Sequence, residues 1–296
     1  MRQFSLWSDF LPDPKKAFPE DILPLPTDLT WNDGNDLLEP IEDEKFQRLL
    51  DELMIVAVAS VKPYMPAYHN GDHFKAVLAN VQTLLPKGTP EAVAQAMQIA
   101  AAGHDVANPG STFRSMAPRG VPMKELGLVI ATEAVTAIIV DTLLKAWNFQ
   151  RGMRLFIGNL TLASVFGIPQ FGPRTKWERV LCCADVGPTP GTTCDNILSW
   201  LDEGVRVNLV EAHPARPASY RDWLERRLRF LGFLRTFTNP QHMNFVPGAL
   251  AAGWDELWMS FTDQIQRAKD GTNPKLANAM REQLRAVVPA DFNLEG

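Results

Sequence analysis

From Asp43 onward one pattern governs the chain: apolar residues recur every three or four positions, and proline or glycine closes each run. Phe46, Leu49, Leu50, Leu53 and Met54 form the first stripe, and Pro63 and Pro66 end it. That period lines one face of a helix, whereas a strand needs strict alternation. His69 to Leu85 reads as the next helix, with Val77, Val81 and Leu84 on one face and Pro86-Lys87-Gly88 as its stop. Thr89 is expected to cap a third, with Pro90 in its first turn. This third helix runs to about Gly103 and delivers His104-Asp105 at its C-terminal end. Further helices are expected over Leu126 to Trp147, Arg154 to Phe166, Trp177 to Val186, Ser199 to Val210, Ser219 to Thr236, Trp254 to Ala268 and Lys275 to Val287. No stretch alternates between paired turn signals. The expected fold class is all-α, one compact helical domain over residues 43–296.

Residues 1–42 read differently. Pro12, Pro14, Pro19, Pro24, Pro26 and Pro40 break any helix there. An irregular, Pro-rich N-terminal arm is expected, packed on the body through Trp7, Phe10, Leu23 and Trp31.

Charge and apolar content limit the partners. A net charge of −5 speaks against a general nucleic-acid binder, which should be basic. No apolar run reaches the ~18 residues of a membrane-spanning helix, and Met1 to Trp7 lacks the apolar core of a signal peptide. Cys182, Cys183 and Cys194 are too few and too close for a disulfide framework, and no Cys-x-x-Cys pair suggests a zinc knuckle. The expected setting is the cytoplasm, with a small molecule as partner and neither nucleic acid nor membrane. Oligomeric state is not legible.

The chain has five histidines, and three of them fall in two short segments, Tyr68-His69-Asn70-Gly71-Asp72-His73 and Gly103-His104-Asp105. His69 and His73 are four apart, so a helix would stack them on one face. His104-Asp105 offers a nitrogen and an oxygen ligand where Asn108-Pro109-Gly110 turns the chain. Imidazole and carboxylate without thiolate suit Zn, Fe, Mn or Mg. Asp185 is the best further ligand, because it ends an apolar helix before Gly187-Pro188, and a carboxylate there is costly unless paired or metal-bound. Taken singly, each residue has a plainer account: a buried histidine can be hydrogen-bonded core, and Asp185 can form a turn. Taken together they point to a divalent metal site. Residues 111–124 form a long loop beside the His-Asp pair, in a position that often lines a substrate pocket.

His69-Asn70-x-x-His73, then His104-Asp105-x-x-Asn108-Pro109-Gly110, then Ala184-Asp185 resemble the motifs of the HD-domain metal phosphohydrolases. The closest likeness is to the class I 3′,5′-cyclic-nucleotide phosphodiesterases, in order and spacing from about Phe46 to Gly187 and weakly to about Trp258. The resemblance implies hydrolysis of cyclic AMP or cyclic GMP to the 5′-monophosphate by a metal-bridging hydroxide. His73, His104, Asp105 and Asp185 would hold the first metal, Zn or Fe. Asp105 would also reach a second, Mg or Mn. His69 would be the general acid for O3′, and Glu133 would orient metal-bound water. Ser164 aligns with a family threonine near the second metal. Tyr68, Asn108, Gln241 and Phe245 would lie on the substrate side. Gln241 and Phe245 nearly match the family's base-selecting glutamine and clamping phenylalanine, one residue too far apart. Asn108 stands where the family has a second histidine; its amide still donates or accepts a hydrogen bond. Two other readings stay open. One is an HD phosphohydrolase acting on another nucleotide or phosphomonoester. The other is a non-catalytic nucleotide-binding regulatory protein.

Overall fold

A computed structural model describes residues 38–62, 67–106, 132–164, 173–187, 197–211 and 217–295. Residues 1–37 of the N-terminal arm, the loop over 111–124 and Asn108 lie outside these residues. The described chain is helical, with no strand among the described residues; Ser219 and Asn293 form an isolated bridge. The all-α expectation is met.

Five helices surround the histidine segments. α1 is Asp43–Val61, α2 Gly71–Leu84, α3 Glu91–Gly103, α4 Thr132–Ala146 and α5 Arg151–Ala163. α3 is the centre of this half. Ala100, Ala101, Ala102 and Gly103 are all buried, so the helix shows no solvent face at its C-terminal end. Small side chains there let α1 and α5 pack closely against it. Gly103 is the tightest point: a Cβ there would lie 3.0 Å from Val140 of α4 and 3.4 Å from Leu53 of α1. The run His104-Asp105-Val106 therefore leaves the helix inside the core, and all three residues are buried.

α6, Lys176–Val186, packs on α2, α3 and α5. A capping box starts it: Thr175 Oγ1 accepts from the Glu178 N–H at 3.2 Å, and Glu178 accepts from the Thr175 N–H at 2.9 Å. Cys182 donates to the Ala163 carbonyl of α5 at 2.8 Å. Burial holds the Cys182 and Cys183 thiols well above their usual pKa, which makes both poor nucleophiles.

The C-terminal half adds α7 Ile197–Val205, which continues as a π-helical turn through Glu211, then α8 Tyr220–Leu234, α9 Pro247–Ala251, α10 Trp254–Lys269 and α11 Pro274–Arg285. α8 and α11 pack on α10, and α7 packs on α11. Trp200, Trp258 and Phe261 meet edge and face between these helices at 5.5–6.0 Å. The short α9, absent from the helices expected from sequence, joins the halves by packing on α2 and α10. At five residues it shows too little periodicity to stand out.

Two boundaries differ from expectation for a shared reason. α2 begins at Gly71, because the Asn70 side chain accepts from the N–H groups of Asp72 and His73 at 2.9 and 3.3 Å. His69 therefore lies before the helix and not on its face with His73. Likewise Pro90 occupies the cap position of α3, and the Thr89 hydroxyl turns back to the Pro86 carbonyl. In both places a local side-chain hydrogen bond outranks the apolar period.

Candidate metal centre

Three helices aim four side chains at one point. His73 comes from the first turn of α2, His104 and Asp105 from the end of α3, and Asp185 from the last turn of α6. One ligand atom from each lies within 4.8 Å of all the others. His104 Nε2 is 3.0 Å from Asp105 Oδ2 and 3.3 Å from Asp185 Oδ1. His73 Nε2 is 3.4 Å from Asp105 Oδ2 and 3.2 Å from Asp185 Oδ1. His73, His104 and Asp105 are buried, and the Asp185 side chain is 16% exposed.

The decisive contact is between the two histidines. Their Nε2 atoms approach to 3.1 Å. His104 Nδ1 lies 2.8 Å from the Ala101 carbonyl, which only accepts, so that nitrogen carries the proton. In the neutral ring Nε2 is then a bare lone pair directed at His73 and the carboxylates. Two imidazole nitrogens and two carboxylate oxygens converging this closely repel one another unless a cation or a shared proton sits among them. The four side chains could hold a metal ion. The Nδ1 hydrogen bond to a backbone carbonyl also fixes the ring of a metal-ligating histidine.

The chain matches no family model, no curated protein and no solved structure. The chemistry therefore rests on the site itself.

The frame around the cluster is hydrogen-bonded. Asn80, buried on α2, donates to the Ala184 carbonyl at 2.8 Å and ties α2 to α6 one residue before Asp185. Thr136 of α4 donates to the Val106 carbonyl at 2.8 Å, one residue after Asp105. Neither residue drew notice in the sequence, since a single polar residue on a buried helix face has no motif. Asn80→Ala would leave the Ala184 carbonyl without its buried partner. A loss of about 1–3 kcal/mol of stability is expected, read by urea unfolding.

Sequence-derived candidates divide by position. His69 is half-buried beside the cluster, its ring 5.7 Å from that of His73. Tyr68 packs its ring 4.4 Å from His73 and 5.0 Å from His69. Ser164 is buried, and its hydroxyl donates to the Thr161 carbonyl at 2.8 Å. Glu133 sits in the first turn of α4, and its side chain lies outside what is described. Gln241 is exposed in the turn before α9, where its N–H donates to Asn239; Phe245 is half-buried in the same turn. Neither lines the cavity of ≈ 500 Å³ that opens beside His73. That cavity is walled by Tyr68, Asp72 and His73 on one side, and by Asp202 of α7, Arg206 of the π-helical turn after it and Gln283 of α11 on the other. Gln283 donates to the Leu198 carbonyl, and its Oε1 is buried without a partner.

The charges of the cluster set a pH dependence for the metal-free protein. Burial disfavours the charged form of His104, but Asp105 and Asp185 outweigh it and hold the imidazolium well above the usual 6.5. Burial raises Asp185, and His104 and His73 outweigh that, holding it at about 2 against the usual 3.8. Asp105 is held low by His104 and His69 in the same way, against burial. The His104 contribution to stability is thus complete below pH 6.5 and lost as pH rises through its raised pKa. The Asp185 contribution is complete above 3.8 and lost as pH falls toward 2. A metal ion bound at His104 Nε2 would displace that proton, so metal-loaded protein would keep its alkaline stability. Melting temperatures of chelated and reloaded protein should diverge as pH rises above about 6.5, with the loaded form higher. A constant gap would remove His104 from the ligands.

Proposed function

We propose that this chain is a metal-dependent phosphohydrolase of the HD type that opens a 3′,5′-cyclic nucleotide to its 5′-monophosphate. The observation that carries the reading is the convergence of His73, His104, Asp105 and Asp185, with a further histidine, His69, beside them but outside the ligand set. A metal ion held by these four residues supplies Lewis-acid charge for the phosphoryl oxygens and lowers the pKa of a water. Zn or Fe would suit this ligand set, and Asp105 would also serve a second ion, Mg or Mn.

The chain's own residues do the rest. A water that has given one proton to solvent bonds through its oxygen to phosphorus as the P–O3′ bond breaks, and protonated His69 gives its proton to the departing O3′. His69 can do so because Asn70 starts α2 one residue later, which leaves the imidazole on a bend facing the cluster's edge. Tyr68 packs across His69 and His73 and limits how far either ring can turn. The cavity on the α7 side is the space for the nucleoside.

Metal-loaded protein should release 5′-AMP or 5′-GMP from the matching cyclic nucleotide, followed by chromatography. No monophosphate from either cyclic nucleotide would sink the assignment. Phosphate released only from monoesters would move it to another phosphohydrolase.

A further inference from the structure

Among the described residues that line the cavity beside His73, Arg206 is the only arginine or lysine, and Asp72, Asp202 and Glu203 are the carboxylates. His73 itself belongs to the metal cluster, so cluster and arginine open on one space. An anion in this space meets like charge on the wall, and a bound metal ion and Arg206 are what can draw it in.

Arg206 is held in a way that leaves it available. Its Nε donates to Asp202 Oδ2 at 2.9 Å, one helical turn back. The two side chains are 52% and 41% exposed, and a pair so well hydrated contributes little, so a ligand loses little by parting it. The hydrogen bond is made through Nε and not through the two Nη groups, which form the end of the fork that matches phosphate oxygens. The backbone also changes here. α7 ends at Val205, and Arg206 opens the π-helical turn Arg206–Glu211. Such turns are rare, and they are found frequently at functional sites.

We propose that Arg206 holds the negative charge of the ligand in this cavity, and that Asp202 is its counter-ion when no ligand is bound. This rests on the nucleotide reading above. The ligand class is a nucleoside monophosphate, cyclic or open, whose charge lies on its phosphoryl group alone. On binding, the guanidinium turns from Asp202 to the anion, and water solvates the half-exposed carboxylate it leaves. The two members of one ion pair then act on affinity in opposite directions. Removing the arginine removes an attraction, and removing the aspartate removes a competitor.

The test is calorimetric binding of 5′-AMP and 5′-GMP to metal-loaded wild type, Arg206→Gln, Asp202→Asn and the double variant, with adenosine and guanosine as uncharged controls. Arg206→Gln should weaken the better-bound monophosphate by about tenfold, the loss of one hydrogen bond between charged groups. Asp202→Asn should tighten it by up to ~fivefold, the strength of an exposed pair. That gain should vanish in the double variant. The matching nucleoside should stay within about twofold throughout, because it carries no charge. If Arg206→Gln does not fold, the sign of the Asp202→Asn effect decides. Weaker binding in both single variants makes the pair structural and overturns the proposal. An equal response from the nucleoside overturns it too, and so does an Asp202→Asn gain that survives in the double variant, since Asp202 then repels the ligand directly. The predicted signs without turnover of either cyclic nucleotide would overturn the hydrolase reading and leave Arg206 in its role. Turnover with unchanged monophosphate affinity in Arg206→Gln would do the reverse. Binding of neither monophosphate by wild type overturns both.

Discussion

Asp105→Ala is expected to release the metal and abolish turnover, the largest effect of any single substitution in this protein. Asp105 is buried and lies 3.0 Å from His104 Nε2 and 3.4 Å from His73 Nε2, so its carboxylate closes the ligand set from the α3 side. Removal leaves two imidazoles and Asp185, with less negative charge to hold a dication. The loss also reaches the metal-free protein, where Asp105 and Asp185 together hold His104 in its charged form. Asp105→Asn separates the two effects. It keeps the volume and can still accept from His104, so folding should survive while metal and activity are lost. Metal content and circular dichroism measured together check this. An Asp105→Asn protein with full metal and full rate would remove Asp105 from the site.

His69→Ala is expected to give the opposite pattern: metal retained, rate lost. His69 sits on the bend before α2, near the cluster but outside the four converging atoms. Loss of a general acid lowers the rate by ~10²–10⁴-fold. The fall should be in kcat, because the proton moves to O3′ only as the P–O3′ bond breaks. It should shrink for a substrate with a good leaving group, such as a p-nitrophenyl phosphodiester, which does not need the proton. A variant with an unchanged rate would overturn the role. A variant that also lost its metal would make His69 a ligand.

The four-ligand cluster was legible in the sequence because its chemistry is concentrated. Three of five histidines fall in two short segments, and Asp105 and Asp185 each follow an apolar helical run. The helices were legible because stripes such as Phe46-Leu49-Leu50-Leu53 face the core and are indeed buried. The start of α2 was not, since the apolar period runs back past Gly71 and only the Asn70 side chain stops it. Arg227 was not legible either. In sequence it is one of several arginines on an amphipathic helix, and Arg221, Arg226 and Arg229 do not share its burial. Only the fold distinguishes it, by burying it against Gly204 and Trp200. Asn80 and Thr136 belong to the same class. Their roles are defined by carbonyls 104 and 30 residues away in the chain.

The most direct test of the account is elemental analysis of the purified protein beside His73→Ala. His73 Nε2 touches every other member of the cluster, at 3.1 Å from His104, 3.4 Å from Asp105 and 3.2 Å from Asp185. The account predicts a near-stoichiometric divalent metal in wild type and its loss in a variant that still folds. Wild-type protein that takes up no metal under any loading, or a variant that keeps the full content, would contradict it.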